Sequence, residues 1–307
     1  MPKLVNLGSA CVDHVYRVND LVGAGETTSS LSHDVFPGGK GLNQSLAAAR
    51  AGARVHHYGA IGPDGQLLSN VLQEAGVNVD GLLQRDDVSS GHAVIQVNDR
   101  GENAIVITGG ANRTISDEDR TAVAGDLKPG DWLLLQNEIN DLPAAFELSR
   151  DSGARLAFNL APADGREANY DLGSVDLLIV NEIEARALVP DAVAAGNDAE
   201  VASWLAERYP GMGVVLTAGG EGLHYATGSG ENGLCEALAA IPVQPVDETA
   251  AGDAFIGYLM AGLLAGESVR DALRLASAAG ACAVTEPGAA SSIPTREAVQ
   301  VLLAERA

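Results

Sequence analysis

The chain has 307 residues, 46% of them hydrophobic, enough for one large domain or one domain with a small companion around a sizeable core. Only 4% are aromatic, so Ala, Val and Leu must fill most of that core, and 36 glycines point to tight turns and close backbone approaches. With 41 acidic and 19 basic side chains the formal charge is −22, which argues against a general nucleic-acid binder, because a phosphate backbone is repelled at long range.

In chain order, the pattern predicts a strand over 3–7, half-polar extended stretches over 12–18 and 27–36, and a helix over 41–51. A strand over 55–59 and a helix over 66–75 follow. Segments 92–97 and 103–108 flank Asn98-Asp99-Arg100-Gly101 and read as a hairpin. Beyond it come a helix over 117–124 and strands over 132–136, 156–159 and 177–180. The series ends with a helix over 199–207, a strand over 214–217, and helices over 251–264 and 268–284. Most strands are short, wholly apolar runs, as expected where both faces are covered, and their alternation with helices indicates a parallel α/β sheet. The half-polar stretches break that rhythm. They predict a small β-sheet, residues 11–36 and 91–109, inserted into an α/β domain of residues 1–10, 37–90 and 110–307. Such a sheet needs one covered face, so it acts as a lid over a cleft, a partner surface or both. A plain edge hairpin fits the pattern equally.

Cys11, Cys235 and Cys282 show neither metal-ligand nor redox spacing, and an odd count makes a poor disulfide framework. The first fifteen residues lack the apolar stretch of a signal peptide, and no segment is apolar for the length of a bilayer span. The expectation is a cytoplasmic protein with no membrane and no nucleic-acid partner. None of the six histidines has zinc spacing, and all are expected on the surface or the lid.

Given the net charge, an anionic substrate must be held by a local device. Val246-Asp-Glu-Thr-Ala-Ala-Gly-Asp253 offers one: a loop of small residues running into a long apolar helix. Amides of Ala250, Ala251 and Gly252 at the helix start suit an anion. Asp253 in the first turn suits a general base that takes a proton from a hydroxyl. An isolated Asp there more often just favours the helix dipole. Pro37-Gly-Gly-Lys-Gly-Leu-Asn43 lets a sugar approach the backbone at Gly38 and Gly39, with Lys40 and Asn43 as donors. By itself it also reads as a glycine turn with a solvated lysine, and it is no Walker loop. Asn181 and Glu184, just after an apolar strand, share a helix face and suit Mg²⁺ held through water, or a capping Asn with a solvated Glu. Thr217-Ala-Gly-Gly-Glu-Gly222 exposes amides to nucleotide phosphates, or makes a plain tight turn.

These segments, with Gly8-Ser-Ala-Cys-Val-Asp13, Gly25-Glu-Thr27, Gly101-Glu-Asn-Ala-Ile105, Gly110-Ala-Asn112, Leu135-Gln-Asn-Glu138, Asn159-Leu-Ala-Pro162 and Gly288-Ala-Ala-Ser-Ser-Ile-Pro294, run in an order that resembles the ribokinase branch of the PfkB carbohydrate kinase family. The resemblance covers nearly the whole chain. It implies a three-layer α/β/α sandwich, with a mostly parallel central sheet and a β-sheet lid that pairs two subunits. It also implies transfer of the ATP γ-phosphate to the primary O5 hydroxyl of D-ribose, with Asp253 as base and Ala250, Ala251 and Gly252 as anion hole. Cys11, Asp13, Gly38, Gly39, Lys40, Asn43 and Glu138 would bind sugar, and Asn181, Thr217, Gly219, Gly220, Gly222, Gly252 and Ser277 would bind ATP, with Glu184 near Mg²⁺. Asp247, Thr249, Ala283, Glu286, Gly288 and Ser292 match positions that hold an activating K⁺. Cys11 stands where ribokinases usually carry Asn, which leaves open another sugar (deoxyribose, fructose, 2-keto-3-deoxygluconate) or a nucleoside. A non-catalytic sugar or nucleotide sensor is the reading from another class.

Overall fold

Short apolar strands pair side by side because their backbone donors and acceptors must be met inside the molecule. The computed structural model describes residues 2–228 and 234–306. In chain order its strands are β1 (Leu4–Leu7), β2 (Cys11–Arg17), β3 (Ser32–Gly38), β4 (Val55–Ile61), β5 (Asn78–Gln84), β6 (Gly91–Val97), β7 (Asn103–Thr108), β8 (Trp132–Gln136), β9 (Arg155–Asn159), β10 (Leu177–Asn181), β11 (Gly213–Thr217), β12 (Leu223–Thr227) and β13 (Leu234–Leu238). Its helices are α1 (Lys40–Arg50), α2 (Gln66–Glu74), α3 (Asp117–Asp126), α4 (Leu142–Ser152), α5 (Glu182–Ala187), α6 (Asp191–Ala194), α7 (Asp198–Arg208), α8 (Ala251–Leu264), α9 (Val269–Ala283) and α10 (Arg296–Glu305).

Among the described residues, one sheet has the order β13-β12-β11-β10-β9-β8-β1-β4-β5. Pairing is parallel from β11 to β5 and antiparallel at β12 and β13. Successive strand residues feed opposite layers. Leu4, Leu134 and Ile179 meet Leu46, Phe255, Tyr258 and Ala276 of α1, α8 and α9. Val5, Leu133, Leu135 and Leu178 meet Val123, Phe146 and Leu205 of α3, α4 and α7. This is the expected three-layer sandwich. The chain grows outward from β1 first toward β5, then through β8 toward β11, and the order reverses beside β1, the place where open α/β sheets bind ligands beyond their C-terminal strand ends.

A second sheet has the order β3-β2-β6-β7, with β2 and β6 parallel and the outer pairs antiparallel. Its pairing reaches Gly38, opposite Cys11, beyond the 11–36 segment.

Several elements escaped the sequence pattern, the short α6 among them. β5 is a half-buried edge strand interrupted by Gly81. β12 and β13 are short and only partly buried. α4 and α10 are amphipathic helices that bury only a few residues, and α4 is entered through Asp141 in the left-handed region. The expectation for the histidines fails at His57, which is fully buried on β4, with Nδ1 2.9 Å from Ser45 Oγ. Burial alone lowers its pKa to about 4, so it stays neutral.

Candidate active site

The candidate residues lie at the C-terminal strand ends. The loop from β1 to β2 turns back on the start of α1 through Ser9, whose hydroxyl bonds Glu138 Oε2 and accepts the Gly41 amide at 3.2 Å. Glu138 follows β8 and also accepts the Lys40 amide at 3.2 Å. Gly39 caps α1 with φ at 93°, and a Cβ there would lie 2.9 Å from Cys11 N, so a side chain is excluded twice over. Gly38 is tied to Asp13 similarly: any Cβ would collide with its carboxylate. Cys11 Sγ receives Asn112 Nδ2 at 3.3 Å, and Asn112 also clamps Ala10 N and Ala10 O. Asn112 lies in the Gly110-Ala-Asn112 segment, but its contacts reach 102 residues to Ala10 and 101 to Cys11, which local pattern cannot show.

The electrostatics gather around Lys40. Burial works against its charge, but the carboxylates of Asp253, Glu138 and Glu184 together hold its pKa above the usual lysine range. Burial and the neighbouring Glu138 push Asp13 up to about 6. Burial and the carboxylates of Glu138 and Asp13 push the Cys11 thiol far up, so it stays neutral.

Asp253 lies in the first turn of α8, 8% exposed. Asn43 Nδ2 donates to its Oδ2 at 3.0 Å and Gln44 Nε2 to its Oδ1 at 2.8 Å. Burial raises its pKa, opposed by Lys40 and these two donors. Ala250, at φ 59°, forms the sharp entry to the helix. The anion hole differs from expectation in one respect: the Ala251 amide already donates to Glu248 O at 3.3 Å. The amides of Ala250, Gly252 and Asp253 have no partner among the described residues, and a Cβ on Gly252 would meet open space. A 14-residue helix thus presents unpartnered amides beside a buried carboxylate.

Asn181 and Thr217 are register partners at the ends of β10 and β11. Asn181 Oδ1 accepts the Glu184 amide and Glu184 Oε2 accepts the Asn181 amide, each at 2.9 Å, so the pair forms a capping box. Glu184 is nevertheless buried rather than solvated, with Oε1 uncommitted, and burial raises its pKa. Gly219 and Gly222 take positive φ in the turn after β11, with Gly220 between them. Ser277 lies on α9, which packs on α8, and its hydroxyl returns to Leu273 O at 2.9 Å.

The loop before α8 meets the segment after α9. Asp247 Oδ1 accepts Thr249 N at 2.9 Å and Thr249 Oγ1 at 2.6 Å; its Oδ2 accepts Gly288 N at 2.8 Å. Ser292 Oγ reaches Thr249 O at 3.4 Å, and Glu286 N donates to Ala283 O at 3.2 Å. All six residues of this set are brought to one place, and their donors are hard oxygens.

A buried carboxylate beside unpartnered helix-start amides is the arrangement that a phosphotransferase acting on an alcohol requires. Residues 1–296 match the family model described as pfkB family carbohydrate kinase. The chain is 33% identical to the ribokinase of Haemophilus influenzae over 298 residues, covering 96% of each chain. It superposes on the crystal structure of ribokinase from Cryptococcus neoformans in complex with ADP with a TM-score of 0.83, 31% identity and full coverage of both chains. The corresponding values for Arabidopsis thaliana ribokinase complexed with ribose and ATP are 0.84, 29% and 98% of each chain. The chain belongs to the pfkB family of carbohydrate kinases and is an ATP-dependent sugar kinase.

Proposed function

We propose that this kinase transfers the ATP γ-phosphate to O5 of D-ribose, with Asp253 as the general base. The observation that carries the assignment is the juxtaposition of that buried carboxylate with the unpartnered Gly252 and Asp253 amides. Asp253 takes the proton of the sugar hydroxyl as the hydroxyl oxygen bonds to the γ-phosphorus and the bond from that phosphorus to the β,γ-bridging oxygen breaks, releasing ADP. The helix-start amides face the charge on the transferred group, and Lys40 adds a cation. Cys11, Asp13, Gly38, Gly39, Lys40, Asn43 and Glu138 hold the sugar. Asn181, Thr217, Gly219, Gly220, Gly222 and Ser277 line the nucleotide.

Mg²⁺, when bound, neutralises phosphate charge. Glu184 suits it, through water, because one carboxylate oxygen is uncommitted. The oxygens around Asp247, Thr249, Ala283, Glu286, Gly288 and Ser292 suit K⁺. Residues 11–36 and 91–109 act as the lid, whose closure keeps water from competing with the sugar. The lid also pairs two copies of the chain. Among the described residues no helix is long and apolar enough to cross a membrane, and the three cysteines are free, as a reducing cytoplasm requires.

A coupled ADP-release assay over D-ribose, 2-deoxy-D-ribose, D-fructose, 2-keto-3-deoxygluconate and nucleosides tests the reading, with D-ribose expected to give the highest kcat/KM. Asp253→Asn should lower kcat by about 10³-fold with ATP binding nearly unchanged. Near-normal turnover in that variant removes Asp253 from the role; preference for another acceptor removes ribose.

A further inference from the structure

Four buried amide side chains link Asp253 to two backbone carbonyls, and the reaction as described uses none of them. Asn6 on β1, Gln44 on α1, Gln136 on β8 and Asn159 on β9 are almost wholly shielded from water. A carbonyl can only accept, so it fixes which end of an amide faces it. Asn6 Nδ2 donates to Gly41 O at 2.8 Å, which turns Asn6 Oδ1 toward Gln136 Nε2 at 3.0 Å. The same nitrogen gives its second proton to Gln44 Oε1 at 2.8 Å. From the other side, Asn159 Nδ2 donates to Ile179 O at 3.1 Å, which turns Asn159 Oδ1 toward Gln44 Nε2, also 3.1 Å away. Gln44 is thereby left one orientation, with its remaining proton on Asp253 Oδ1. Flipping any of the four would set oxygen against oxygen or N–H against N–H where no water compensates.

We propose that Gln44, oriented by Gln136, Asn6 and Asn159, is a positioning residue for the base. It holds Asp253 Oδ1 as a hydrogen-bond acceptor, as Asn43 holds Oδ2, and so fixes the plane of the carboxylate that takes the sugar's proton. The inference rests on Asp253 being the base. The donated hydrogen bond favours the charged carboxylate against burial. The other charged groups acting on Asp253, Lys40 and Glu138, remain unchanged when Gln44 is replaced.

The test is the pH profile of kcat. Gln44→Met should lower kcat at neutral pH by about tenfold and move the acidic limb up by about one pH unit, with the KM for ATP unchanged. Gln136→Met removes the donor to Gln44 Oε1, loosening but not reversing the Gln44 amide, and should shift the limb in the same direction by less. The double variant should be no worse than Gln44→Met alone, because both act through one donor. An unmoved acidic limb, or fully additive losses, overturns the proposal. If Gln44→Met is not recovered folded, the limb of Gln136→Met decides alone. An inactive Asp253→Asn beside Gln44→Met with a wild-type limb sinks this inference and spares the base; an active Asp253→Asn sinks both.

Discussion

Asp13 is a carboxylate that the apo protein holds at a cost. Burial, then the charge of Glu138, raises its pKa from 3.8 to about 6. The folded state therefore binds its proton more tightly than the unfolded state does. Stability from this group is complete below pH 3.8 and is lost as pH rises through about 6. The shift corresponds to about 3 kcal/mol, reduced to about 1 kcal/mol for a half-buried group. At pH 8, Asp13→Asn should raise the Tm of the apo protein by about 2–4 °C. The same change should raise the KM for sugar, because an amide N–H replaces an acceptor of sugar hydroxyl protons. In the wild type that KM should climb as pH falls through about 6, and the variant should lose this dependence. A variant less stable than wild type at pH 8, or with an unchanged pH profile, contradicts the assignment. Lys40, Asn43 and Asp253 could be picked out because each sits within or just after small residues at the start of a helix, whereas Asp13 came only with the family resemblance. The roles of Gln44, Gln136 and Asn159 could not, since Gln44 lies 209 residues from the carboxylate it touches and 92 from the amide that orients it.

At the scale of elements, the site depends on how closely α1 approaches α8. Gly257, one turn beyond Asp253, has no room for a side chain: a Cβ would collide with Ala47 Cβ and lie 2.6 Å from Ala48 N and 2.7 Å from Gln44 O. In a helix interior Gly→Ala ordinarily gains about 1 kcal/mol. At Gly257 the overlap outweighs that gain, and Gly257→Ala should cost about 1–3 kcal/mol by chemical denaturation. It should also lower kcat, because α8 carries Asp253 away from Asn43 and Gln44. Gly125 in α3 has nothing within 4 Å of its Cβ position, so Gly125→Ala should stabilise instead. Equal effects at the two positions would mean that propensity, not helix contact, governs. The bounds of α8 matched the sequence expectation at both ends because a small-residue loop leads into an unbroken apolar run. β5, β12 and α4 lack such contrast: at the sheet edge and on half-exposed helices, tertiary contacts rather than local pattern decide the structure.

At the scale of the whole molecule, the second sheet and the net charge govern behaviour beyond the site. Register puts Asp13, Phe36 and Ile107 on one face of that sheet, the face proposed to meet the sugar, and His14, Val35, Val94 and Val106 on the other. Val106 is 69% exposed, and its neighbour Val94 and, across the sheet, Val35 are also exposed, as expected of a surface that a second copy covers. Val106→Asp should turn a dimer into a monomer in sedimentation velocity; a monomeric wild type removes the proposed pairing.

The charge of −22 makes a second demand. Self-repulsion should fall as salt shortens the Debye length from about 10 Å at 0.1 M to about 3 Å at 1 M, so Tm should rise with KCl and equally with choline chloride. The proposed activation by K⁺ would be a separate effect. Hydrogen bonds from Thr249 and Gly288 outweigh burial and hold Asp247 below the usual carboxylate range, so it stays ionised and braces the loop that leads to Ala250 and Asp253. KCl should raise kcat to a plateau at concentrations too low to move Tm, choline chloride should not, and Asp247→Ala should lose this activation while keeping the salt slope of Tm. Equal activation by both salts, or activation that survives in Asp247→Ala, would show that K⁺ acts through screening alone and that these oxygens hold no ion.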